Sequence, residues 1–473
     1  MACLRFVPVL SAALLPALLQ AAPTEDVRLS GGETTVFSSH AGAFSLNSAN
    51  MSARRKGDFL IGNDFFEDPW VIAPATTDLR DGLGPLFNVS ACQSCHFNDG
   101  RGHAPMSADD NADSLLIRLS LQKPDGKIEG DPIYGGQLQD HSIPGLKAEA
   151  RIRVSYEDYP VTFTDGSEVM LRKPTFRLTD WSDGAPSPDL ILSMRVAPPV
   201  IGMGLLEAIA QSDLEALADP EDRNKDGISG RLNLTVDQVS GKETLGRFGW
   251  KAGQPSVRQQ TAGAFNGDMG LTTSLFPAEG CTTAQVTCRQ LPNGNDPQSG
   301  VEVRDDILDF VTHYVSNLAV PARREVNASE VIMGQQLFRD AGCSGCHVER
   351  FVTAEQGPAR IEQSRQIIRP YTDLLLHDMG PELADRRLDG TAASVNHLSE
   401  GLANAQEWRT PPLWGIGLTH VVNAEATFLH DGRARSIMEA ILWHDGEAAG
   451  SRSHVLGYDA TQRQALLAFL NSL

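Results

Sequence analysis

The chain has 473 residues, with 40 Lys and Arg against 60 Asp and Glu, for a formal charge of −20. That balance disfavours nucleic acid as a partner and suits either plain solubility or the docking of a basic redox protein. Length suggests two or three domains.

Residues 1–22 read as a secretory signal. Arg5 is the positive start, Phe6–Leu19 an apolar run, and Ala21 and Ala22 a small-residue cleavage site. Cys3 would leave with it. The run is short for a membrane anchor, and no later segment is long and apolar enough to span a bilayer. The mature chain is therefore expected to be exported to the periplasm without a membrane span. Residues 23–60 show no clear core pattern, and Phe65–Val71 is aromatic.

Cys92-Gln93-Ser94-Cys95-His96 follows, and Cys343-Ser344-Gly345-Cys346-His347 repeats its form. Cys-x-x-Cys-His attaches a c-type haem: both thiols form thioethers with the vinyl groups, and the His binds the iron. A zinc site or a redox Cys-x-x-Cys is the alternative, and two complete motifs with an export signal weigh against it. Leu86-Phe87 and Leu337-Phe338 precede the two motifs by the same four-residue gap, with Gly84 and Gly334 earlier, as in a unit used twice. Two covalently bound haem c groups are expected.

Leu115–Leu119, Val161–Phe163 and Val169–Leu171 read as strands, with turns at 124–126 and 164–166. Gly204–Leu217 has helical spacing. Asp222, Asn224 and Asp226, with the carbonyl of Ile228, have the alternating pattern of a calcium loop, and Gly227 allows the tight turn. The twelfth position is Asn233, so an Asx turn without metal is the alternative. Cys281 and Cys288 remain after the haem cysteines and are expected to pair in an oxidising compartment.

Asp305–Leu318 is a clear amphipathic helix that ends before Pro321. A boundary near Pro321–Asn327 would separate an N-terminal haem domain, 23–325, from a C-terminal cytochrome c domain, 326–473. Ser329–Phe338 would lead into the second motif, and Thr461–Leu473 would close the domain. The expected fold is mainly α: two cytochrome c-like haem domains, the first carrying a large insertion of short strands and loops.

Trp408-Arg409-Thr410-Pro411-Pro412-Leu413-Trp414 and Phe428-Leu429-His430-Asp431-Gly432-Arg433, with a short helix from Ser436, resemble the C-terminal domain of bacterial dihaem cytochrome c peroxidases. Asp81–Asn88, Gly246–Lys251 and Leu375–Gly380 are closer to the di-haem oxidoreductase, or thiol oxidoreductase-like, branch of that superfamily. The resemblance implies an N-terminal haem that meets peroxide and a C-terminal haem that relays electrons from a small donor protein. It also places the sixth ligand of the second iron at His444, fourteen residues beyond His430, where the peroxidases carry Met. A His/His iron has the lower potential.

Met379, His377 and His430 are rivals for that role. His103, Met106 and His141 are weak candidates for the first iron, whose sixth position is expected to be open. Gln137, Gln139 and Glu149 lie in the stretch that would supply a proton-moving group, and Trp250 and Trp443 could conduct between haems. The catalytic acid or base is not legible. The competing readings are a non-catalytic electron-transfer cytochrome and a redox partner in iron uptake.

Overall fold

The computed structural model describes residues 26–473 except 78, 108, 109, 111 and 112. The expected signal segment, with Cys3, lies outside them. Three helices form where their apolar spacing puts them: Asp305–Asn317, Ser329–Asp340 and Ala460–Ser472. Asp305 and Asp306 occupy the first turn of the first, where carboxylates meet the positive end of the helix. Asp459 and Gln462 close a capping box on the last. Gly204–Leu217 instead breaks into Met203–Glu207 and Gln211–Leu217, because Ile209 leaves the helix to pair with Thr353.

The expectation of a mainly α chain is overturned. Helix accounts for 29% and strand for 20%, in one four-stranded and six two-stranded sheets among the described residues. Leu115–Gln122 pairs antiparallel with Ile191–Val196, setting Leu115 opposite Val196 and Leu116 opposite Arg195. The period of two then sorts the faces. Leu115, Ile117, Leu119, Leu192 and Met194 enter one core. Ser114, Leu116, Arg118 and Arg195 turn to the other side and line an internal cavity.

Arg151–Thr162 and Glu168–Thr179 form a ribbon of two twelve-residue strands. The two short strands read from sequence are only its far end. There Val161, Phe163 and Leu171 pack into the core around Trp443, Leu466 and Phe469. Two cytochrome c-like domains do not appear either. The largest core joins Phe44, Phe66 and Tyr314 to Trp414, Leu418 and Val422 from the C-terminal stretch. Arg386–Arg387 also pairs with the Ile191–Val196 strand. Contacts of both kinds cross the 321–327 stretch.

Cys281 and Cys288 are joined in a disulfide with their Cα atoms 5.9 Å apart. No helix among the described residues is long and apolar enough to cross a membrane.

The Ser329–Asp340 and Ala460–Ser472 helices cross at Gly334. A Cβ there would collide with the carbonyl of Ala465 and lie 2.8 Å from Phe469 Cβ. Gly334→Ala should gain about 1 kcal/mol of helix propensity and lose about 1–3 kcal/mol to overpacking. A net fall in thermal stability is expected in a melting experiment, and a rise would show that the crossing can open without cost.

Candidate functional site

Both Cys-x-x-Cys-His motifs face one continuous cavity. Its lining includes Cys92, Cys95 and His96 together with Cys343, Cys346, His347 and His444. The first motif forms a single helical turn, Cys92–Cys95, and the second a 3-10 turn, Cys343–Gly345. The four thiols are free. Their partly exposed area opens into the cavity, and burial keeps them neutral by pushing Cys92 and Cys343 up to about 12. Unpaired thiols facing an internal space are what covalent haem attachment requires.

The three histidines share a further feature. His96 Nδ1 donates to the Pro198 carbonyl at 2.7 Å, His347 Nδ1 to Tyr371 at 3.0 Å, and His444 Nδ1 to Ala440 at 2.7 Å. A carbonyl can only accept, so each ring carries its proton on Nδ1 and keeps the Nε2 lone pair for a metal. Burial pushes His96 and His347 down to about 4 and lowers His444 as well, so all three rings are neutral at pH 7. The donor set fits haem iron at each motif.

An aromatic ring from a preceding helix packs on each proximal His. Phe338 lies 6.2 Å from His347, and Phe66 lies 6.2 Å from His96. Phe66 comes from the Ala53–Glu67 helix. The sequence repeat had pointed to Leu86-Phe87, but those residues form a short strand against His141–Ser142. The two approaches are alike in packing and not in register.

The remaining sequence candidates separate cleanly. Met379 and His430 line the cavity. His430 stacks on Trp408 at 3.6 Å, and the Lys251 ammonium lies 3.8 Å over the same indole. Lys251 is fully buried with Asp385, Nζ to Oδ2 3.2 Å. His377 is held between Asp373 at 2.8 Å and Glu447 at 2.7 Å, and these bonds outweigh burial and raise it to about 12. It is an imidazolium fastened beside Cys346 and has no lone pair to offer. Asp373, His377 and Cys346 come close enough to share an ion, but the two ring nitrogens are already committed to carboxylates.

His103, Met106 and His141 do not line the cavity. His141 stacks on Phe87 and pairs with Asp140, and Met106 is exposed. Gln137, Gln139 and Glu149 also lie behind its wall. Glu149 accepts from Gln139 N and Gln285 Nε2, and burial raises it to about 8. Trp250 lines the cavity and donates to the Val196 carbonyl at 2.8 Å. Trp443 stacks under Tyr159, outside the lining.

In the 222–228 loop the side chains bond back to the loop itself. Ile228 N donates to Asp226 Oδ1 at 2.9 Å, and Gly227 N donates to Asp222 at 3.2 Å. Asn233 is buried and donates to the Lys251 and Glu400 carbonyls. Ile228 itself points inward and packs against Gly345 of the second motif, where a Cβ would lie 2.5 Å from Ile228 Cδ1.

Sequence reasoning missed Arg118, Arg195, Asp268, Glu400 and Trp408, all of which line the cavity. Arg195 pairs with Glu400 at 2.6 Å. Asp268 ends a helical stripe, Val257, Gln260, Thr261, Ala264 and Asp268, on the Val257–Met269 helix. The alternation of Ser114, Leu116 and Arg118 was the one sequence signal for a polar cavity wall.

Burial pushes His430 down from 6.5 to about 3. The unfolded chain therefore takes up a proton below about pH 6.5 that the folded chain refuses, so this term stabilises the fold at neutral pH and is lost as pH falls toward 3. His430→Phe keeps a ring against Trp408 and should flatten the fall in Tm between pH 6.5 and 4. An unchanged slope would contradict the assignment.

No curated protein matches the chain. Among solved structures, a hydrazine synthase of Kuenenia stuttgartiensis is similar over 98% of this chain and 100% of that one, with 14% identity and a TM-score of 0.36, too loose a likeness to argue from. The family model described as "Di-haem oxidoreductase, putative peroxidase" matches residues 24–120 and 135–473. A match over nearly the whole length, on a chain whose two haem motifs open into one cavity, places it: this protein belongs to the di-haem oxidoreductase family.

Proposed function

We propose that the chain is an exported oxidoreductase that reduces peroxide at the first motif and takes electrons in at the second. The observation that carries this reading is the single cavity shared by both Cys-x-x-Cys-His motifs, which His444 also lines. Cys92 and Cys95 would hold one haem c and Cys343 and Cys346 the other, with His96 and His347 as proximal ligands. Bound haem would supply a redox-active iron at each end of the cavity.

The residues divide the labour. His347 and His444 face the same end closely enough that charge on either disfavours charge on the other, as two ligands of one iron would. Iron held by both residues would be suited to electron transfer. None of His103, Met106 and His141, the sequence candidates for the first iron, enters the cavity, which supports a sixth position open to a small oxidant at His96. The Arg101 guanidinium, anchored on the Thr427 and Leu429 carbonyls, lies 5.2 Å over Trp250 and fixes that ring in the wall. A small electron-donor protein would complete the cycle, and the acidic surface suits a basic one.

Two haems per chain are expected by denatured pyridine-haemochrome assay, falling to one in the Cys92→Ala/Cys95→Ala variant. One or none in the unaltered protein would sink the proposal. His444→Ala should convert one low-spin haem to high spin with little loss of haem content. An unchanged spectrum would move the ligand role to Met379, which also lines the cavity.

Calcium at Asp222, Asn224, Asp226 and the Ile228 carbonyl belongs to the same proposal. The adjoining Ser229 donates from both N and Oγ to Glu447, the partner of His377, so an ion in the loop would steady the second motif. A chelator should lower Tm, and Asp222→Ala/Asp226→Ala should abolish that response. If the unaltered chain ignores the chelator, the loop is a turn alone.

A further inference from the structure

Four charged side chains line the cavity and act on one another: Arg118, Arg195, Glu400 and Asp268. Two of them satisfy each other. Arg195 Nη1 sits 2.6 Å from Glu400, its Nε donates to Ser193 Oγ at 3.1 Å, and Arg195, Arg118 and Lys251 keep the Glu400 carboxyl ionised. The other two are left over. The Arg118 guanidinium makes no hydrogen bond to any described residue, although it lies in the wall of an enclosed space. Asp268 receives one side-chain bond, from Gln137 Nε2 at 2.8 Å.

A guanidinium carries five donors, and leaving them unmet in a buried place is costly. It is tolerated where a ligand completes the set. Arg118 and Asp268 interact electrostatically with each other. The Asp268 backbone carbonyl accepts from Asn88 N at 2.7 Å and Val89 N at 3.1 Å, in the stretch that leads into Cys92, so the pair stands beside the first motif.

We propose that Arg118 and Asp268 are the peroxide-handling pair of the first chamber: Arg118 binds the peroxide oxygens and Asp268 moves the proton between them. This deepens the function proposed above and rests on it. The step balances without an added reagent. The Asp268 carboxylate accepts the proton of one peroxide oxygen and returns it to the other. The O–O bond breaks, and the second oxygen leaves as water with the bonding pair. The remaining oxygen takes two protons from solvent and two electrons from the reduced haems, giving H2O2 + 2H+ + 2e− → 2H2O.

The surroundings suit the role. Burial raises Asp268 above the usual carboxylate range, while Arg118 and the Gln137 bond oppose that rise. Gln137 is itself held by donating to Asn88 Oδ1 at 2.7 Å and the Gly267 carbonyl at 3.0 Å. The amide named from sequence thus orients the acid without reaching the cavity.

Cyanide provides the test, since hydrogen cyanide must lose its proton to bind ferric iron while imidazole need not. With half-reduced holoprotein, Asp268→Asn should slow cyanide association about 100-fold and flatten its pH dependence, leaving imidazole binding, haem content and Tm unchanged. Asp268→Glu should restore most of the rate. Arg118→Gln should weaken cyanide binding about tenfold, and Arg118→Lys by less. If the unaltered protein binds cyanide but the Asn and Gln variants match it, this assignment is wrong and the proposed function stands. If the unaltered protein binds no ligand in any redox state, the function and the assignment fall together.

Discussion

The structure depends on one arrangement: neutral imidazoles buried against an internal cavity, each with its Nδ1 proton committed to a backbone carbonyl. An uncharged ring can be buried cheaply only when its polar atoms are met. One nitrogen is met by the backbone, and the other is left free. Two of the carbonyls, Pro198 and Tyr371, come from other parts of the chain, while Ala440 lies four residues before His444. The fold must therefore bring distant segments to both motifs before either can bind a metal in a fixed orientation.

That requirement explains the architecture better than two independent haem domains would. Pro198 follows directly from the Ile191–Val196 strand, whose partner strand turns Arg118 to the cavity. The same strand pairs on its other edge with Arg386–Arg387 from the C-terminal half. The long ribbon reaches the opposite way, and Arg172 donates to the Gly432 and Arg433 carbonyls just after His430. Each half thus builds part of the other's wall. A shared cavity follows from that exchange, and it brings two redox centres into one enclosed space.

How much was legible depends on how locally each feature is encoded. The haem motifs lie in five contiguous residues each, and the helices Asp305–Asn317, Ser329–Asp340 and Ala460–Ser472 carry their own apolar stripe. His444, which lines the cavity, was named only because its distance from His430 matches a family pattern. The mainly α reading failed for a physical reason. Val161–Phe163 and Val169–Leu171 were read as short strands because the rest of their twelve-residue strands is largely polar and exposed, and Ile191–Val196, buried on both faces, has no alternation to read. Asp268, Arg118 and Glu400 are far apart in sequence and meet only through that sheet. Glu149 and Gln137 lay in the right stretch, but the fold turns both behind the wall.

The central claim is that the two irons differ, one closed by His347 and His444 and one open beside His96. Low-temperature electron paramagnetic resonance of the protein, fully oxidised and then reduced by one electron, tests it most directly. The account predicts a low-spin signal from a bis-histidine haem and, in the one-electron-reduced state, a second haem that is high-spin and shifts on adding a small ligand. Two low-spin haems in both states, unmoved by ligand, would contradict it.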